Sequence, residues 1–269
     1  MGLPLAGTLS FDAIIQLAAG LAVVVYFWRD IWGLIMALFN WIFRKPADEK
    51  YKNLILPIII GSIPAVVLGL LLQKYMDTVF RGMTIVAVTL IAGAVLFYFA
   101  ERSQSHKNHQ RDVLKKTLVG ATAPDREIFQ LENFVSSEKY PMPDSGGISI
   151  KKGFIIGLYQ CLALVPGFSR SGATISGGLL TGLNREVSVR FSFLLSLPII
   201  LGSGLLKLLE VVKSGDLATQ GSSIFWASLF AFASGLLAIH FLLKFLKNHS
   251  LNWFGAYRII LAIVILICL

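Results

Sequence analysis

Stretches of 17 or more mostly apolar residues recur six times along the 269-residue chain, at about 11–28, 53–73, 84–100, 188–209, 223–245 and 253–269. At 1.5 Å of rise per residue, each is long enough to cross a hydrocarbon core about 30 Å thick. The pattern predicts an all-α polytopic membrane protein, a single membrane domain over 1–269. Two shorter apolar runs read differently. Ile31 to Phe43 has 13 residues bracketed by Trp32 and Trp41 and stopped by Arg44, Lys45 and Pro46, which fits a helix lying in the interface. Gly153 to Val165 is a second run of 13, broken by Pro166-Gly167 and followed by a small, glycine-rich run from Gly172 to Gly182. Two half-helices around a break predict a re-entrant hairpin over about 153–182.

Between them lies the largest shift in composition. Residues 101–152 carry nine Lys/Arg and seven Asp/Glu with His106 and His109, and are expected to form an extramembranous, partly disordered loop. No carboxylate or cysteine cluster accompanies the two histidines, so they read as a solvated helix end rather than a metal site.

Composition agrees with the pattern. Hydrophobic residues make up 55% of the chain and charged ones 14%, with a mean hydropathy of +0.72, which excludes a soluble globule. A net charge of +9 would suggest nucleic acid in a soluble protein. Here the cations sit in loops between apolar segments, so the charge reads as topological and nucleic acid is not an expected partner. If the hairpin enters and leaves by one face, the loops at 29–52, 101–152, 183–190 and 244–252 share a side that holds 18 Lys/Arg. The other side holds four, Lys74, Arg81, Lys207 and Lys213. The positive-inside rule then puts the first set in the cytoplasm and both termini outside. Cys161 and Cys268, the two cysteines, lie in apolar runs and suggest neither a disulfide framework nor a thiolate metal site. Residues 1–13 lack the basic start of a signal peptide.

Once those loop and end cations are assigned, Arg170 and Arg258 remain within membrane segments. An arginine at bilayer depth costs about 2.5–3.5 kcal/mol even on permissive insertion scales, so Arg170, at the hairpin break, needs a compensating partner. The nearby acids Glu186 and Asp216 lie outside the membrane segments, and Glu186 has Arg190 at i+4 as a partner. An anion site is therefore the favoured reading. Ser169, Ser171 and Thr174 offer hydroxyls, Gly167 and Gly172 let backbone come close, and the helix that opens at the break turns free N–H groups toward negative charge. A guanidinium adds a planar fork that matches a phosphate edge. Single serines or threonines in membrane helices usually bond back to the preceding turn, but three around one arginine favour a site. His240 within a span reads as a packed, hydrogen-bonded histidine, and His249 as a loop residue.

The run Gln160 to Leu179, above all Pro166-Gly-Phe-Ser-Arg-Ser-Gly-Ala-Thr174, resembles the second signature of bacterial undecaprenyl-diphosphate phosphatases, also called the bacitracin resistance protein family. Phe11 to Leu34, Ile63 to Gly69, and Phe191 to Leu195 with Pro198 are similar to that family too, so the resemblance covers nearly all of the chain outside the polar loop. It implies a membrane hydrolase that removes the terminal phosphate of undecaprenyl diphosphate, recycling the lipid carrier for peptidoglycan and conferring bacitracin resistance in the bacterial cell (inner) membrane. It implies an inverted-repeat architecture with two re-entrant hairpins. By position, Arg170 would clamp the diphosphate with Ser169 and Thr174 as hydroxyl partners, and Gly167, Ser171 and Gly172 would complete the cradle. A divalent cation such as Mg or Ca is a cofactor the resemblance allows, bridging the diphosphate, since no metal motif is seen. Membrane lipids and a second copy of the chain are the other expected partners.

The family's first signature, Glu-rich and of Ser-Ser-Thr-Gly-His type, precedes the helix matching 11–28, and ahead of Phe11 there is no Glu, His or Arg. The expectation is half of the inverted repeat, truncated at the N-terminus, without the family's general base and nucleophile. Two other readings stay open, a transporter of an anionic lipid carrier and a non-catalytic diphosphate-binding relic. Gly178 and Gly182 would allow tight helix packing under any of them.

Overall fold

In the computed structural model, residues 5–78, 82–120, 148–214 and 217–269 are described, and all regular structure among them is helical. The helices are α1 (Leu5–Tyr26), α2 (Trp28–Ile42), α3 (Glu49–Thr78), α4 (Met83–Gly120), α5 (Ile150–Leu162), α6 (Arg170–Leu180), α7 (Arg185–Ser214), α8 (Leu217–Asn248) and α9 (Asn252–Cys268). Four segments are long and apolar enough to cross a membrane, Glu49–Leu72, Met83–Ser105, Arg185–Leu206 and Ile224–Asn248. The bent pair α1 and α2 makes a fifth if it counts as one span, and α9 is a shorter apolar helix. The chain is a multi-pass membrane protein. Among the described residues the segments that pass on length and composition are therefore fewer than the six runs read from the sequence.

α2 leaves α1 at a bend of 80°, at Phe27. Trp28, Trp32, Ile35, Phe39 and Trp41 are exposed along it, the surface of a helix that lies across the bundle's end. α4 runs on to Gly120, about twenty residues past the apolar run, because the run marks membrane thickness and polar residues prolong a helix at little cost. Residues 121–147 of the polar loop, and the side chains of Asp12, His106 and His109, lie outside the described residues.

The short hairpin α5 and α6 is the centre of the molecule. Its helices have 13 and 11 residues, about 20 and 16 Å, too short to cross a bilayer. α3 packs on α5, while α4 and α7 pack on α6. α1 lies against α7 and α8, and α9 against α4. One core joins Phe27, Ile58, Ile156, Phe191, Leu195 and Ile239, and a second joins Phe97, Ile175, Leu179, Val189 and Leu246.

Polar contacts gather the loops at one end. Glu101 of α4 accepts from Arg185 at 2.5 Å and from the Leu251 N–H at 2.8 Å. Asp30 of α2 accepts from Arg190 at 2.7 Å and from Tyr51 at 3.4 Å. Arg190 thus pairs across the bundle with Asp30, where Glu186 at i+4 was expected. Asp30 has a side chain only 7% exposed, and a buried carboxylate commands a cation more strongly than a solvated one does. The hairpin enters and leaves at this same end.

Candidate active site

Glycines let the hairpin fit. Gly153 and Gly157 of α5 stand where a Cβ would collide with Pro57 and with the Gly61 carbonyl of α3. On α6, Gly172 faces the Phe97 ring of α4, Gly177 faces Tyr159 of α5, and Gly178 faces Ser188 of α7. α6 is consequently enclosed on three sides, and residues 172–179 are all buried. Small residues at helix contacts are how membrane helices approach closely without a hydrophobic drive. Gly178, one of the pair singled out from the sequence, serves this packing.

The turn between the two helices is held by its carbonyls. Thr89 of α4 donates to the Pro166 carbonyl at 2.6 Å. Arg258 of α9 donates to the Gly167 carbonyl at 2.5 Å and to the Phe168 carbonyl at 2.9 Å, and bonds Thr89 O at 3.3 Å. Its guanidinium sits 4.9 Å from the Phe97 ring centroid, in space left by Gly93. Three successive carbonyls are thereby drawn toward α4 and α9. Gly167 adopts φ +92°, which suits glycine, and Ser169 adopts φ 70°, which strains a residue with a Cβ.

α6 begins at Arg170. The Ser169 hydroxyl accepts from the Gly172 N–H at 3.3 Å and caps the helix, while the Ser169 carbonyl accepts from the Ala173 N–H. Among the described residues, the N–H groups of Arg170 and Ser171 and the Arg170 guanidinium make no hydrogen bond, and Arg170 makes no ion pair. Arg170 is partly buried, Ser169 exposed and Ser171 partly buried. Thr174 lies one turn inward, 1% exposed. Its hydroxyl donates back to the Arg170 carbonyl at 2.9 Å and contacts the Ser192 hydroxyl of α7. The structure thus groups Ser169, Arg170 and Ser171 at the turn and sets Thr174 and Gly172 behind them, inside the packing.

Such a turn offers an unneutralised guanidinium, two unused N–H groups at a helix N-terminus and two hydroxyls. That set suits a phosphate or diphosphate. It does not suit a protein-held Mg or Ca ion, which needs several carboxylate or carbonyl oxygens, since the turn has no carboxylate and its carbonyls are taken by Thr89 and Arg258. Among the described residues no cluster of three His, Cys, Asp or Glu side chains exists.

Sequence reasoning gave no role to Thr89, Ser192 or Arg258, although Arg258 stood out as a second intramembrane arginine. Gln160 is 2% exposed with its amide unbonded by the described residues. His240, expected to be packed, is exposed instead, though hydrogen-bonded to Tyr26 at 3.2 Å, and His249 stacks on Phe245. Both lie away from the turn in their contacts.

Comparison with known proteins matches residues 2–264 to the family model described as bacitracin resistance protein BacA. A protein named undecaprenyl-diphosphatase from Corynebacterium glutamicum (strain R) is 36% identical over 97% of this chain and 77% of its own length. Proteins of the same name from Corynebacterium striatum and Renibacterium salmoninarum are 37% and 36% identical, covering 96% and 97% of this chain and 79% and 82% of theirs.

Proposed function

Since the chain belongs to the family of bacitracin resistance protein BacA, we propose that it hydrolyses undecaprenyl diphosphate to undecaprenyl phosphate and inorganic phosphate. This would recycle the lipid carrier for peptidoglycan in the bacterial inner membrane and lower sensitivity to bacitracin. The observation that carries the reading is the Arg170 guanidinium, partly buried at the opening of α6 with no acid beside it.

Arg170 binds the diphosphate through two parallel N–H donors. The N–H groups of Arg170 and Ser171 and the hydroxyls of Ser169 and Ser171 complete the contact. As water attacks the terminal phosphorus, giving up its proton to surrounding water, the bond to the bridging oxygen breaks and these fixed donors stabilise the charge on the departing oxygens. Gly167 shapes the turn, Gly172 lets α6 lie against Phe97, and Thr174 holds the first turn of α6 to α7. α1, α3, α4, α7, α8 and α9 serve as spans, α2 rests in the interface, and the hairpin is re-entrant from the cation-rich, cytoplasmic end.

The test is phosphate release from undecaprenyl diphosphate by purified protein. Arg170→Ala and Arg170→Lys should each lose about 10²- to 10³-fold, because an ammonium lacks the fork. Wild-type turnover by a monodisperse Arg170→Ala protein would refute the reading.

A further inference from the structure

A cavity of about 640 Å³ opens at the cation-rich end, between the α1–α2 bend and the helix ends of α3, α7 and α8. Arg170 does not line it, and the 11 residues of α6 separate that end from the hairpin turn by about 16 Å. Five cations line it, Arg29, Lys50, Arg185, Arg190 and Lys247. Among the described residues Asp30 and Glu186 are the acids on its wall.

Two of the guanidiniums are fixed. Glu101 holds Arg185 at 2.5 Å and Asp30 holds Arg190 at 2.7 Å, each through one terminal nitrogen. The two side chains remain 28% and 32% exposed. Arg29 lies 5.8 Å from the Trp28 ring and Lys50 4.9 Å from the Tyr51 ring. Cations placed in advance lose little freedom when an anion arrives. The apolar side is present as well. Trp28 also lines the cavity and opens α2, whose exposed Trp32, Ile35 and Phe39 continue away from it across the bundle's end.

We propose that this cavity is a second anion site, which takes the phosphate of an anionic phospholipid from the adjoining leaflet and lays its acyl chains along α2. Inorganic phosphate offers the same headgroup chemistry without the chains. The length of exposed apolar surface beginning at Trp28 favours the lipid.

The purified, delipidated protein is titrated with short-chain phosphatidylglycerol, with phosphatidylcholine of the same chain length, and with inorganic phosphate. Retained lipid is counted by native mass spectrometry, and tryptophan fluorescence follows binding. The expected result is stoichiometric retention of phosphatidylglycerol, little phosphatidylcholine, and weak competition by phosphate. Arg29→Gln/Lys50→Gln should lower phosphatidylglycerol affinity by about tenfold or more, as two cations are lost beside an anionic headgroup. Lys45→Gln, at the same end but off the cavity wall, should leave it unchanged. Equal retention by wild type and double variant, or equal binding of the two lipids, would overturn the site. Saturation by inorganic phosphate without lipid retention would overturn the lipid as its occupant.

Discussion

Arg258 donates to the carbonyl of Phe168 across 2.9 Å, joining residues 90 positions apart, and a second nitrogen of the same guanidinium reaches the Gly167 carbonyl. A cation inside α9 therefore has backbone carbonyls as its counter-groups, and the turn that presents Arg170 is fixed through those carbonyls. Arg258 touches no proposed substrate atom and acts by positioning. Each hydrogen bond from a charged donor is worth about 1.5–3 kcal/mol. Arg258→Lys keeps the charge but cannot span two carbonyls. Phosphate release by this variant should fall about 10- to 100-fold in kcat with KM changed less, in protein that still elutes as a single species. Unchanged kcat would leave Arg258 a packing residue.

Ser169 combines a useful hydroxyl with a costly backbone, φ 70° and ψ 111°. A residue with a Cβ in such a region costs about 1–3 kcal/mol, whereas glycine enters it freely. Ser169→Ala keeps that strain and loses the cap to Gly172, so it should be the less heat-stable variant. Ser169→Gly should melt several degrees higher than Ser169→Ala, and both should hydrolyse more slowly than wild type. Scanning fluorimetry in detergent decides; an alanine variant as stable as the glycine one would mean that the turn relaxes.

The apolar helices and the pair of short helices around a break were legible because each reduces to one dimension, the length of an apolar run and the place where it is interrupted. The 13 residues from Gly153 to Val165 and the Pro166-Gly167 break identify a hairpin without any tertiary information. Arg170 was legible for a similar reason, as an arginine with no acid in reach. Partnerships were not. Arg190 chose Asp30, 160 positions away, over Glu186 one turn away, since burial rather than spacing ranks the candidates. Arg258 had no complementary charge to search for, because its partners are carbonyls that every residue carries. The reach of α4 to Gly120 was hidden because hydropathy reports lipid contact, and a helix leaving lipid need not end.

The Arg190 and Asp30 pair supports a double-mutant test. Asp30→Asn leaves a partly buried guanidinium facing a neutral amide and weakens the Tyr51 bond, a loss of about 1–3 kcal/mol once the exposure of Arg190 is allowed for. Adding Arg190→Gln removes the stranded charge. The double variant should therefore be less destabilised than the sum of the two single ones. Strict additivity in thermal midpoints would show that the pair contributes nothing.

Two glycines separate packing from backbone effects. At Gly157 an added Cβ runs into the Gly61 carbonyl, so even Gly157→Ala pushes α5 off α3 and carries the Arg170 turn with it. At Gly202 an added Cβ would meet no atom of another described residue beyond its own helix turn within 4 Å. Gly202→Ala should raise stability by about 0.5–1 kcal/mol through helix propensity alone. Gly157→Ala should lower both yield and phosphate release. Comparable behaviour of the two variants in size-exclusion profiles would contradict the close approach of α5 and α3.

Sidedness can be read with single cysteines. Lys45 follows α2 at the cation-rich end, and Lys213 ends α7, whose 30 residues carry the chain about 45 Å from Arg185 at that end to the opposite one. Both positions are exposed. With Cys161 and Cys268 replaced by serine, Lys45→Cys and Lys213→Cys should react differently with a membrane-impermeant maleimide on intact cells. The positive-inside rule applied to the Lys/Arg clustered at the Lys45 end predicts that only Lys213→Cys labels before lysis and both after it. Labelling of Lys45→Cys in intact cells would turn the molecule over. The hairpin would then enter from outside, and the cavity beside Arg29 and Lys50 would draw its lipid from the outer leaflet instead of the inner one.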